Sequence, residues 1–273
     1  MGEHLPTFIL DWILPASVGL VIGSFLNVLI HRIPLKESIV FPGSRCPSCK
    51  TEIRWYDNIP VFSYLLLRGK CRKCGAKISP RYPLVELLTA ILFVAARVTH
   101  GLGVGLFVRD WPLISILIAV TFIDLDHRII PNVLSLPGTA FALATSFLDT
   151  HLGLEPLTTF GLFAPPESEA LTAMIRSAEG AALGWGMFFG LAKSYELATG
   201  RAGLGGGDVK LLALIGAFLG PVGVVITVLV SSVLGSVVGI SWALLTRKKN
   251  LMTAAIPYGP FLVVGGLYYY LFY

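Results

Sequence analysis

Long apolar runs, interrupted by short polar stretches with proline or glycine at their edges, fill most of this chain. A helix needs roughly 17–25 apolar residues to cross a bilayer core of about 30 Å. Eight runs approach that length: 12–31, 83–99, 108–124, 130–149, 178–198, 208–221, 223–245 and 254–272, with edges good to about three residues. The pattern predicts an all-α polytopic membrane protein with about eight transmembrane helices. One polar interruption, 33–82 between the first two runs, is long enough to form a small domain. The expected division is an N-terminal segment with the first helix over 1–32, a small domain over 33–82, and a seven-helix membrane domain over 83–273.

Composition excludes an ordinary soluble domain. The 273 residues are 55% hydrophobic and 14% charged, with a mean hydropathy of +0.76, whereas soluble domains carry about 25% charge. The net charge of +5 matters less than its placement. With the N-terminus outside, the loops after the first, third, fifth and seventh runs hold every one of the 21 Lys and Arg except Arg97, Arg109 and Arg176. That bias puts those loops in the cytoplasm and speaks against nucleic acid as a partner. Residues 1–11 carry Glu3 and Asp11 rather than a basic start, so no removable leader is expected. The 150–177 stretch, with Pro156, Pro165 and Pro166, reads as an irregular connection. Ser231, Gly235 and Gly239 in the seventh run have the small-residue spacing that lets membrane helices approach closely. No repeat of fixed period is evident.

All four cysteines fall in the 33–82 stretch, as Cys46-Pro47-Ser48-Cys49 and Cys71-Arg72-Lys73-Cys74. Two C-x-x-C pairs about twenty residues apart have the spacing of a tetrahedral zinc site. So short a stretch buries little core, and a metal staple would supply the missing stability. Two disulfides are the alternative, disfavoured in a cytoplasmic loop; a thioredoxin-like redox pair is another. Four thiolates would close the coordination shell, so the expected role of Zn2+ is structural.

Two acidic stretches lie at the ends of apolar runs. One is Asp124-Leu125-Asp126-His127-Arg128; the other is Gly203-Leu204-Gly205-Gly206-Gly207-Asp208-Val209-Lys210. A carboxylate at a membrane edge is costly and marks a functional site, and the charge bias puts Asp124 and Asp208 at one depth. If they meet, ionising both is prohibitive; one then acts as base and the other as acid toward a water nucleophile. Such a pair titrates as a unit, so neither takes a fixed role. This is the chemistry of a two-aspartate protease. Each residue also has a plainer reading. Asp208 would serve as a helix N-cap, and Asp124 as a solvated partner of Arg128 one turn on. Asp126 competes with Asp124 but lies further toward water, and an Asp124/Asp126 metal site is a further alternative. Lys210 reads as a lysine reaching to the interface, and His31 and His127 as interface histidines.

Gly205-Gly206-Gly207-Asp208 matches the Gly-x-Gly-Asp motif of intramembrane aspartyl proteases. Asp124 followed by Arg128-Ile129-Ile130-Pro131-Asn132 resembles the partner motif of the type IV prepilin peptidases. Gly23-Ser24-Phe25-Leu26-Asn27-Val28 with Arg32 and Pro34, both cysteine pairs, and Arg81-Tyr82-Pro83-Leu84-Val85-Glu86 are similar to further parts of that family, in order. Asn132 departs from it, since many bacterial members carry aspartate there. The resemblance implies a bifunctional enzyme of the bacterial inner membrane, its N-terminus periplasmic. It would cut the basic leader from type IV prepilins and related pseudopilins at the cytoplasmic face, with Asp124 and Asp208 as the catalytic pair. It would then methylate the new N-terminal amine with S-adenosylmethionine, the four-cysteine domain going with that second activity.

No glycine fingerprint following a strand marks a methyl-donor site. Glu86 and Arg32, at the ends of neighbouring runs, are candidates for a charged pocket or for an ion pair with each other. The expected partners are prepilins and the lipid bilayer. A monofunctional leader peptidase whose zinc domain only docks substrate is the alternative reading. A cation transporter or a zinc-dependent assembly factor would be readings of another class.

Overall fold

The structure, a computed structural model, describes residues 9–148, 168–200, 205–246 and 257–273. Expectations for residues 1–8, most of the 150–177 connection, Arg201, Gly203-Leu204 and the basic Arg247, Lys248 and Lys249 fall outside them. Among the described residues every long element is helical, and the only extended pairings are the isolated bridges Arg45–Glu52 and Lys70–Lys77. The helices are α1 Leu14–Arg32, α2 Phe62–Leu66, α3 Arg81–His100, α4 Trp111–His127, α5 Asn132–Thr145, α6 Glu169–Thr199, α7 Gly206–Thr246 and α8 Gly259–Phe272. Four stretches are long and apolar enough to cross a membrane: Ile9–Arg32, Arg81–His100, Leu106–His127 and Gly206–Leu245. Asn132–Leu148 and Gly259–Phe272 are apolar but shorter. Large apolar side chains such as Leu87, Ile91, Leu229, Val233 and Ile240 are exposed, as a lipid-facing surface requires.

Two helix edges differ from the sequence expectation. The sixth and seventh runs are not joined by a loop. Gly220, at φ 72° and ψ −177°, breaks α7 directly before Pro221, because only glycine adopts that backbone cheaply and proline cannot continue the helix. The helix expected over 178–198 instead begins at Glu169. Glu169, Thr172, Arg176 and Ser177 interrupt the apolar pattern of its early turns, which hid it from hydropathy, yet Thr172, Arg176 and Ser177 are buried. Ser177 Oγ donates to the Ala217 carbonyl at 2.6 Å, and Arg176 pairs with Glu179 at 2.9 Å.

The chain forms two compact units, Met1–Leu106 with Asp110–Ala119, and Phe107–Arg109 with Val120–Tyr273. In the first, α1 and α3 touch backbone to backbone: a Cβ on Gly19 would lie 2.5 Å from Ala90 Cα, and one on Gly23 2.6 Å from Glu86 Cα. In the second, a Cβ on Gly180 of α6 would lie 2.1 Å from the Gly216 carbonyl oxygen of α7. Lipid gives apolar helices no reason to associate beyond packing, so such contacts hold the helices of each unit together. The seam expected from Ser231, Gly235 and Gly239 is only partly used. Ser231 is buried, and Gly235 faces Tyr258 and Phe261, but Gly239 has no described atom within 4 Å of its Cβ position.

The three basic residues outside the biased loops are each held by specific partners. Arg97 pairs with Asp11 and Arg176 with Glu179. Arg109, 1% exposed, donates to the carbonyls of Ala142 at 2.7 Å and Phe218 at 3.3 Å, with its guanidinium 5.2 Å from the Phe218 ring. It thus satisfies carbonyls at the ends of α5 and of the first half of α7. Arg109→Met should leave buried carbonyls without donors and lower stability by about 1–3 kcal/mol, read as a lower unfolding temperature in detergent.

Candidate active site and metal centre

The end of α4 carries two aspartates, and burial separates them. Asp124 is 5% exposed, whereas Asp126 is exposed. Asp124 Oδ2 accepts the Gly259 backbone N–H at 3.1 Å, at the start of α8. It does not form the surface ion pair with Arg128 that i,i+4 spacing allows. Arg128 instead donates its backbone N–H to the Asp124 carbonyl and turns the chain out of the helix at φ 54°.

Asp208 is the third residue of α7, not its N-cap. Its carboxylate accepts the Gly205 backbone N–H, the reach-back half of a capping box. A Cβ on Gly205 would come within 3.1 Å of Asp208 Oδ2, so the glycine leaves room for that carboxylate. Asp208 is half-buried, and it lies near enough to Asp124 for the Asp124 charge to act on it. The structure therefore brings the two aspartates into one site.

Ile130, just after α4, entered the sequence analysis only as a motif residue with no role of its own. Its side chain lies where a Cβ on Gly207 would fall, at 2.9 Å, and 3.4 Å from the Cβ position of Gly259. One aliphatic wedge thus packs on the glycine next to Asp208 and on the glycine that binds Asp124. Gly259 was missed, although its Tyr258-Gly259-Pro260 setting, with proline in a first helical turn, was a legible helix-start signal. Behind it, the Tyr258 hydroxyl lies 2.9 Å from Ser231 Oγ, tying the entrance of α8 to α7. Lys210 does not simply reach for water: its Nζ donates to Asn132 Oδ1 at 2.8 Å, joining α7 to the start of α5.

The four cysteines form a separate centre. Their sulfur atoms all lie within 4.8 Å of one another, with Cys46 and Cys74 Sγ at 3.9 Å, and the cluster could hold a metal ion. A tetrahedron with metal–sulfur bonds of about 2.3 Å has sulfur edges of about 3.8 Å, so the donor set fits.

The two knuckles are copies of one another. Arg45–Glu52 brackets the first and Lys70–Lys77 the second. The Cys46 N–H donates to the Thr51 carbonyl as that of Cys71 does to Ala76, and Ile53 closes on Ser44 as Ile78 does on Gly69. Each copy turns on a residue of positive φ, Lys50 at 57° and Gly75 at 71°. The copies are too divergent in side chains for the repeat to stand out in the sequence.

Hydrogen bonds from Thr51 pull the Cys49 thiol down to about 6. N–H groups of Cys74 and Lys73 lower that of Cys71. Cys74 receives an N–H from Ala76 but is pushed up to about 11 by burial and by the Cys49, Cys71 and Cys46 sulfurs. Four thiols this close cannot all ionise without a cation among them.

Arg32 and Glu86 do not pair with each other. Arg32 donates to the carbonyls of Ser38 at 2.9 Å and Pro42 at 2.7 Å, holding the start of the 33–82 stretch. Glu86, 7% exposed, accepts the Val61 N–H at 2.7 Å and a hydrogen bond from Ser24.

These features define a helical protein with membrane-length apolar segments, a gathered pair of carboxylates at two helix ends, and a distinct four-thiol centre. Residues 17–100 match the family described as the bacterial peptidase A24 N-terminal domain, and residues 111–240 match the type IV leader peptidase family. The chain belongs to the type IV leader peptidase family.

Among curated relatives, a protein of Aeromonas hydrophila named prepilin leader peptidase/N-methyltransferase is 37% identical over 91% of this chain and 86% of its own length. One of Stutzerimonas stutzeri with the same name is 36% identical over 97% and 92%. One of Myxococcus xanthus is 41% identical over 86% of this chain, which spans only 64% of that relative. No solved structure matches the chain.

Proposed function

We propose that this chain is a bifunctional enzyme that cleaves the basic leader of type IV prepilins or pseudopilins and then methylates the new N-terminal residue. Family membership and the names of relatives that align along nearly their whole length support both activities. The observation that carries the proteolytic half is the meeting of Asp124 and Asp208 in one site. Buried Asp124 and half-buried Asp208 share a proton, so one activates water while the other protonates the leaving amine. Gly259 and Gly205 hold the two carboxylates by backbone N–H groups, which fixes their orientation without bringing in a cation.

The helices provide eight crossings: α1, α3, α4, α5, α6, both halves of α7, and α8. The basic loops lie in the cytoplasm and the N-terminus in the periplasm, in the inner membrane of a bacterium. Cleavage then falls at the cytoplasmic face, where a substrate with a basic leader and an apolar helix presents its junction. The division is 1–32, the zinc domain at 33–82, and the membrane domain at 83–273. Cys46, Cys49, Cys71 and Cys74 bind structural Zn2+, and S-adenosylmethionine supplies the methyl group when bound. Substrates come from a pilus or a type II secretion system.

The test is purified protein in detergent with a prepilin peptide and tritiated-methyl S-adenosylmethionine. Shortened product bearing label supports both activities; cleavage with no label removes the methyltransferase; uncut peptide removes the protease. Gly259→Ala probes the geometry separately. The new methyl would fall 2.6 Å from Asp124 Oδ2, so Asp124 must move, and a shift of about 1 Å costs on the order of 100-fold. The cleavage rate should drop by about that factor with the unfolding temperature little changed.

A further inference from the structure

The first unit encloses a cavity of about 780 Å³ between α1, the four-cysteine stretch and the start of α3. That volume is in the range of small-molecule sites, about 300–1,000 Å³. Cys46 and Cys71 form part of its wall, so the knuckles shape it. Three acids line it: Glu52, Asp57 and Glu86. Glu52 is exposed, and Asp57 is already matched by a bidentate Arg72, with contacts of 2.6 to 3.0 Å. Glu86 is different. It is buried, and its partners are the neutral N–H of Val61 and the Ser24 side chain, with no ion pair among the described residues. A buried carboxylate with only dipolar partners on the wall of a cavity calls for a cation.

Two further observations point to the same wall. Arg32, the nearest cation that sequence reasoning offered to Glu86, spends its donors on the Ser38 and Pro42 carbonyls. Val61, a β-branched residue at φ 59°, sits in a backbone region such residues rarely occupy. Its strained N–H is the one that holds Glu86. Strain of this kind persists where surrounding contacts over-determine it, and functional sites are where it gathers.

We infer that this cavity binds S-adenosylmethionine, with Glu86 as counter-charge to its sulfonium. The inference rests on the methyltransferase half of the proposed function and supplies the site which that reading lacks. The donor set fits. The buried carboxylate meets the cationic sulfur, basic lining residues such as Arg45 and Lys77 suit the donor's carboxylate, and Tyr64 and Tyr82 offer rings to its adenine. S-adenosylhomocysteine, in which the sulfur is a neutral thioether, should bind the same cavity without needing that charge.

The experiment irradiates full-length protein in detergent with tritiated-methyl S-adenosylmethionine and maps the labelled peptides. Label should lie on peptides from residues 24–32 or 44–86 and be displaced by excess S-adenosylhomocysteine. Label confined to residues beyond 106 overturns the site. Calorimetry on Glu86→Gln then tests the charge. Affinity for S-adenosylmethionine should fall about tenfold, about 1.4 kcal/mol, and affinity for S-adenosylhomocysteine less than about twofold. Equal losses, or none, overturn the role of Glu86, as they would if the cation were the prepilin ammonium instead. Should Glu86→Gln fail to fold, the photolabel on the wild-type chain decides alone. Methyl transfer to cleaved prepilin by that same wild-type preparation is scored separately, so failure of the methyltransferase reading and failure of the cavity are distinguished.

Discussion

Asp124→Asn and Asp208→Asn should each reduce prepilin cleavage by about 10²–10⁴-fold, the range expected when general acid–base catalysis is removed. An amide has nearly the shape of the acid but cannot hold or release the shared proton. Asp124→Asn keeps an oxygen able to accept the Gly259 N–H, and Asp208→Asn one able to accept that of Gly205. The fold should survive, and an unchanged unfolding temperature in detergent checks this. Asp126→Asn is the control: that residue is exposed on the same helix end, and its variant should keep most of the wild-type rate. Full cleavage by Asp124→Asn alongside an inactive Asp126→Asn would move the site to the other carboxylate.

Removal of the metal should have the largest effect on stability. Structural zinc contributes on the order of 10–16 kcal/mol in small metal-dependent domains, and the 33–82 stretch has little regular secondary structure to hold it. Its only helix of any length is α2 Phe62–Leu66, and its pairings are two isolated bridges. Purified protein should carry one zinc per chain. Strong chelation, or Cys46→Ser with Cys71→Ser, should release it and open the 33–82 stretch to a protease that leaves the metal-bound form intact. If chelated protein resists cleavage as well as the untreated form does, the metal is not structural.

Acid should act in the same direction as the chelator, because protons compete with metal for thiolates. Cys49, drawn down to about 6, is already a thiolate at neutral pH. Cys74, pushed up to about 11, keeps its proton until a metal displaces it to solvent. Zinc release should therefore grow as pH falls toward and below 6, measured with a colorimetric zinc indicator.

The membrane character, the two cysteine pairs and the two acidic stretches were legible because each leaves a local mark. Apolar runs have a length, knuckles have a spacing, and an acid at a membrane edge is too costly to be incidental. The extra turns of α6 were not legible, since Arg176 and Ser177 look like loop residues until Glu179 and Ala217 are seen to satisfy them. The Glu86–Arg32 pairing suggested by sequence fails for a similar reason. Both residues find backbone partners on the folded 33–82 stretch, and nothing in their spacing shows where that backbone will lie.

Taken alone, the order of residues determined that this chain is helical and apolar, that its thiols come as two pairs, and that Asp124 and Asp208 are the acids to watch. Those properties depend on neighbours a few positions apart. Tertiary structure decided which carboxylate of the Asp124–Asp126 pair is buried, that Ile130 wedges between Gly207 and Gly259, and that Glu86 lies on a cavity wall without an ion pair among the described residues. Each of those depends on contacts between segments far apart along the chain, whose approach is set by where glycines let backbones touch.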